Sequence, residues 1–177
     1  MLKLECGRIY HIYTRPNSAS ITPATFLKNY ITTIEPIAET FAYCLLPDHV
    51  HFVVRPRTFD EQIAWWMQDG ESMDAFEPKN IVAQFQKLHS DLCAVPIQAH
   101  LDCIHLIRYI HQNPILHGVT DQFQTYKWSS YQTLKSERAT RLEREMVLQW
   151  FYTAEWFEEI HWIPVELDRI GYLITED

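Results

Sequence analysis

Glycine is scarce in this chain of 177 residues, which has only four. No G-x-G-x-x-G or G-x-x-x-x-G-K-[ST] pattern occurs, which excludes the loops whose bare backbone cradles a nucleotide phosphate. The cysteines Cys6, Cys44, Cys93 and Cys103 include no C-x-x-C pair, so zinc-ribbon and thioredoxin-type chemistry is excluded. Scattered single thiols fit a reducing compartment, and the expected location is cytoplasmic. No run approaches eighteen uncharged apolar residues, so neither a membrane span nor a membrane partner is expected. Met1 to Glu5 lack the apolar stretch of a signal peptide. Positive charge is also short, with 15 Lys and Arg against 23 Asp and Glu and a net charge of −8. Residues 137–177 hold ten acids and four bases, while residues 1–136 hold thirteen and eleven. The acidity therefore sits mostly in the last forty or so positions, yet no basic stripe is visible elsewhere.

What the chain has in quantity is aromatic and histidine side chains: six Trp, nine Tyr, nine Phe and nine His. Its length suits one domain, read here as 1–136, with an acidic helical extension over 137–177. Ile9 to Tyr13 alternates as a first strand. Thr22-Pro23 opens a helix carrying Phe26, Leu27, Tyr30, Ile31 and Ile34, which Pro36 should end. Phe41 to Leu46 and His49 to Arg55 read as two strands joined by a Pro47-Asp48 turn. A short helix over Ile63 to Met67 is followed by a loop from Gln68 to Lys79. A long amphipathic helix then carries Ile81, Val82, Phe85, Leu88 and Leu92. Pro96 interrupts Leu92 to Ile97, where a further strand would be weak. Leu101 to Asn113 is a helix that Pro114 should stop. Thr140 to Glu143 has the spacing of a capping box, and the tail beyond Ala154 predicts a short helix and a strand.

Two segments carry chemistry. In His49-Val50-His51, strand alternation puts both imidazoles on one face, predicted to be accessible, roughly 6.6–6.8 Å apart along the backbone. Two imidazoles so placed can share one ion, and such ligands favour Mn, Fe, Ni, Cu or Zn by softness. On the later helix His105, Tyr109 and Asn113 fall four apart and share a face. Asn113 offers an amide oxygen as a third ligand, and Tyr109 offers a nucleophile. Taken singly, each has a plainer reading. An H-x-H on a strand is more often a metal-free pair, Tyr109 a packing residue, and Asn113 before Pro114 an ordinary helix stop.

Four ordered stretches resemble a known family. They are Gly7 to Tyr13, Phe41 to His51, Tyr109-Ile110-His111-Gln112-Asn113-Pro114, and Trp128-Ser129-Ser130-Tyr131. Together they are similar to the REP-associated tyrosine transposases, of the single-tyrosine branch of the HUH nucleases. The resemblance implies an α+β, ferredoxin-like βαββαβ core with an antiparallel sheet. It implies a divalent metal, Mn²⁺ or Mg²⁺, held by His49, His51 and Asn113. It also implies a Tyr109 nucleophile that forms a 5′-phosphotyrosine, and single-stranded DNA beside a hairpin as the partner.

The chain departs from the family pattern in two places. Between the second long helix and the tyrosine helix, the family's basic turn, its Gly-Ser/His-Leu-Phe/Trp motif and its basic strand are missing. Leu88-His89-Ser90 runs almost directly into Asp91 to Val95, so the fourth strand is expected to be weak or missing. An edge thus exposed would invite a second copy of the chain, a homodimer. Asp48 stands where the family commonly has Asn. The leading expectation is a metal-dependent single-strand DNA endonuclease and strand transferase. A non-cutting DNA hairpin binder of the same ancestry and a metal-dependent phosphohydrolase are the alternatives.

Overall fold

A computed structural model describes residues 3–16, 20–68 and 77–174. Four strands, β1 (Tyr10–Thr14), β2 (Ala38–Leu45), β3 (Val50–Pro56) and β4 (Leu92–Pro96), form one antiparallel sheet in the order β2-β3-β1-β4. Helix α1 (Pro23–Thr33) links β1 to β2, and α2 (Phe59–Gln68) and α3 (Ile81–Leu88) lie between β3 and β4. With α2 as an additional helix, this is the βαββαβ order of a ferredoxin-like core. Most of the expected loop from Gln68 to Lys79 lies outside the described residues.

The sheet has a core on each face, because strand alternation sends successive side chains to opposite sides. Ile12, Val50, Phe52 and Val54 pack with Phe26, Tyr30 and Ile34 of α1 and Phe85 of α3. Tyr30 stacks on Phe52 with ring centroids 4.1 Å apart, and its hydroxyl lies 2.8 Å from Thr40 Oγ1. A bulge between Thr40 and Ala42 shifts the β2–β3 register, and Phe41 and Ala42 both join the second core.

That second core lies under α4 (His100–Leu116) and three short helices, α5 (Tyr131–Lys135), α6 (Arg144–Trp150) and α7 (Ala154–Ile160). Eleven residues of α4 are buried, from Cys103 through Pro114. Here the structure corrects the expectation of an accessible histidine face. His49 and His51 are both 0 % exposed, because α4 and the C-terminal segment cover the face that alternation gives them.

The expected weak or missing fourth strand is also corrected. All five residues of β4 pair with all five of β1, from Leu92 opposite Thr14 to Pro96 opposite Tyr10. Pro96 is tolerated because it sits at the end of an edge strand, and Ile97 N–H resumes the ladder at Ile9 C=O. Likewise α4 runs past Pro114 to Leu116. Proline there costs one N–H in the last turn, while His117 N–H still reaches Asn113 C=O at 3.0 Å. Gly118, at φ +64, takes the left-handed position that ends the helix. The expected capping box does not open a helix at Thr140. Glu143 N–H is tied to Thr40 C=O of β2, and α6 starts at Arg144. Beyond α7 the described residues form a 3₁₀ turn, Leu167–Arg169, where a strand was expected.

The C-terminal segment is built into the body of the protein. Phe157, Ile170 and Leu173 belong to the same core as Leu106, Ile107 and Ile110 of α4. Arg108, 4 % exposed, donates from Nε to Ile160 C=O and from Nη2 to Ile163 C=O, while Gln112 Nε2 donates to His161 C=O. These side chains tie α4 to backbone carbonyls at and just beyond the end of α7.

Candidate active site

β3 and α4 position the four residues singled out in the sequence. Register places Tyr13 opposite His51 and His11 opposite Val53, so His11, Tyr13 and His51 share the sheet face turned toward α4. From α4, Tyr109 meets His51 edge-on, with ring centroids 5.7 Å apart and planes at 85°. One turn later Asn113 Nδ2 lies 2.9 Å from His51 Nε2. His49 sits edge-on to His51 at 5.1 Å and to His117 at 4.5 Å. The structure thus brings His49, His51, Tyr109 and Asn113 together. His105 is not part of the cluster and faces Arg108 instead, with its Nδ1 3.5 Å from Arg108 Nη1.

His49 Nδ1 lies 2.7 Å from the Asp48 carboxylate, to which it donates. A neutral imidazole with its hydrogen on Nδ1 has a bare lone pair on Nε2. That Nε2 is buried and has no hydrogen-bond partner among the described residues, and the same holds for Asn113 Oδ1. Buried polar atoms are almost always paired, so two orphans in one cluster mark a place built for something else. Among the described residues no three His, Cys, Asp or Glu side chains converge as a metal cage. The donor set that fits an ion is two imidazoles and one amide, and amide oxygen lies outside those four types. Presenting Asn113 Oδ1 and His51 Nε2 to one ion requires the amide to turn about its terminal torsion, since its nitrogen now faces His51.

Burial keeps two of the imidazoles neutral. Burial pushes His51 well below the ordinary imidazole range, with His11, His49 and His117 adding to the effect. Burial lowers His11 to about 4, against the opposing hydrogen bond to Leu173. A neutral imidazole is the form that binds a metal. Tyr109 is 2 % exposed and Asn113 0 %, so a DNA phosphate reaches this cluster only if its covering side chains move.

Sequence places Asp48 as an acid beside the site that could tune an ion or repel phosphate, and the structure sets its carboxylate against His49 Nδ1. Two further participants have no role assigned from sequence. His11 was read as part of a strand, and only the β1–β3 pairing brings it to His51. Leu173 acts through its backbone carbonyl, which no side-chain pattern can reveal.

No protein-family model matches the chain, and no curated protein matches it. One similar solved structure is that of a REP-associated tyrosine transposase bound to a REP hairpin. It is 17% identical over 75% of this chain and 82% of that one, with a TM-score of 0.46. Among the described residues no helix is long and apolar enough to cross a membrane.

Proposed function

We propose that this protein cuts and rejoins single-stranded DNA beside a hairpin, using Tyr109 as nucleophile and a divalent metal held by His49, His51 and Asn113. The observation that carries this reading is that two buried atoms without partners among the described residues, His49 Nε2 and Asn113 Oδ1, belong to side chains that both contact His51, an imidazole that also packs against Tyr109. A bound Mn²⁺ or Mg²⁺ would act as a Lewis acid on the scissile phosphate. The Tyr109 oxygen forms a bond to phosphorus and the bond from phosphorus to the 3′-oxygen breaks. The phenol proton passes to solvent and the departing oxygen takes one up as a 3′-hydroxyl. The 5′-phosphotyrosine keeps the bond energy for rejoining.

A non-cutting hairpin binder is the second reading. The specific observations favouring it are the closed site, with Tyr109 2 % exposed, and the net charge of −8. One experiment separates the readings. The protein is incubated with hairpin-bearing single strands and Mn²⁺ or Mg²⁺, then run on a denaturing gel. The expected result is a slow-migrating protein–DNA species with wild type and none with Tyr109→Phe. Cleavage that survives Tyr109→Phe points to a water nucleophile and the phosphohydrolase alternative. DNA binding without cleavage supports the non-cutting binder.

A further inference from the structure

His11 stands outside the proposed donor set, yet it is fully buried and touches that set directly. Its Nδ1 lies 2.7 Å from the carbonyl oxygen of Leu173, and its Nε2 lies 3.0 Å from His51 Nδ1. The hydrogens in this chain of contacts follow from one fixed point. A carbonyl only accepts, so His11 must carry its hydrogen on Nδ1. Its Nε2 is then a bare acceptor, and His51 must place its own hydrogen on Nδ1 to meet it. His51 Nε2 is left bare, facing the Asn113 amide hydrogens at 2.9 Å. The amide orientation follows too, because turning Asn113 Oδ1 toward His51 would set two lone pairs against each other. Reversing any link buries an unsatisfied group, at a cost of about 1–3 kcal/mol.

We propose that His11 is a positioning residue: by accepting the His51 Nδ1 hydrogen it keeps the His51 Nε2 lone pair directed into the donor cluster, and the Leu173 backbone carbonyl sets the direction of the whole relay. This rests on the metal reading above for its consequence, though the relay itself is a property of the metal-free protein. Imidazole ligands bind best when the other ring nitrogen donates to a fixed acceptor, and loss of such a partner typically weakens metal affinity about 10–100-fold. Here the acceptor is itself an imidazole, made an acceptor by a carbonyl 162 residues away in the chain.

The test uses the full chain, stripped of metal at pH 7.5, with ¹⁵N-labelled histidine. Side-chain NMR is expected to show His11 and His51 both protonated on Nδ1, assigned by the signals that vanish in His11→Gln and His51→Gln. A His51 ring protonated on Nε2 would overturn the proposal. Mn²⁺ affinity is then measured by calorimetry. His11→Phe, which keeps a ring but no acceptor, is expected to lose about 10–100-fold in affinity. His11→Gln, whose amide can accept from His51 and donate to Leu173, should recover to within about threefold of wild type, a difference of under 1 kcal/mol. A folded His11→Phe that binds Mn²⁺ like wild type overturns the proposal. If His11→Phe fails to fold, the wild-type spectrum and His11→Gln still decide. Wild type that takes up no Mn²⁺ sinks the metal reading alone, and the tautomer spectrum still rules on His11.

Discussion

His51 Nε2 and Asn113 Nδ2 lie 2.9 Å apart across 62 positions of sequence, joining the start of β3 to the last turns of α4. The contact holds the amide that would have to turn for an ion to bind. Asn113→Ala removes both the contact and one donor. The expected outcome is a protein that folds but binds Mn²⁺ at least about tenfold more weakly, the equivalent of 1.4 kcal/mol. Calorimetry checks this, and undiminished affinity would remove Asn113 from the ligand set.

Phe52→Ala should be costly. The ring packs against Tyr30 and Phe26, at centroid distances of 4.1 and 6.0 Å, and is 1 % exposed. Truncating a buried Phe to Ala typically costs about 3–5 kcal/mol, from lost transfer energy plus the cavity left behind. Urea denaturation should show that loss with an unchanged slope. A loss below about 1 kcal/mol would mean the site collapses and refills.

A chain ending at Thr153 should not fold cooperatively. It loses Phe157, Ile170 and Leu173 from the second core, and it leaves the buried Arg108 guanidinium without its carbonyl partners. The core losses alone approach the roughly 5–15 kcal/mol that stabilises a typical domain. Thermal melting followed by circular dichroism is the check. A sharp transition near that of the full chain would show that the segment is dispensable.

Acid should destabilise the fold through His161. Its Nδ1 donates to Phe157 C=O and its Nε2 accepts from His111 Nδ1 at 2.8 Å, while His111 Nε2 accepts from Ser130 Oγ. Burial lowers His161 from the usual 6.5 to about 3, and Arg108 adds to the effect. The unfolded chain therefore binds the proton more readily than the folded one. The contribution of this residue is fully present above about pH 6.5 and is lost as pH falls from there toward about 3. The urea midpoint should fall across that window, less steeply in His161→Gln. A variant with the same pH slope as wild type would assign the acid sensitivity to other groups.

Much of the frame was legible in the sequence because it depends on local periodicity. Alternation along His49 to Arg55 predicted which residues share a strand face, and four-residue spacing put Tyr109 and Asn113 on one helix face, which the structure turns toward His51. What could not be read depends on distant packing. Nothing local in β3 tells whether its histidine face is covered, since the cover comes from α4 and from residues as late as Leu173. Pro96 and Pro114 misled for the same reason. Each breaks a local rule in a place where the break is cheap, one at a strand end on a sheet edge and one in a final helical turn. His11 needed the cross-strand register before its imidazole could be set beside another.

The bond between His11 and Leu173 also bears on how the chain comes to act. Synthesis delivers β1 well before the Leu173 turn, and long-range contacts of this kind form late because their closure entropy must be overcome. A nascent or clipped chain that stops short of Leu173 already holds both candidate imidazole ligands, the tyrosine and the amide. It lacks the carbonyl that, through His11, tells His51 which nitrogen to leave bare. Competence at the cluster would then report that the polypeptide has been made through that point and folded onto itself.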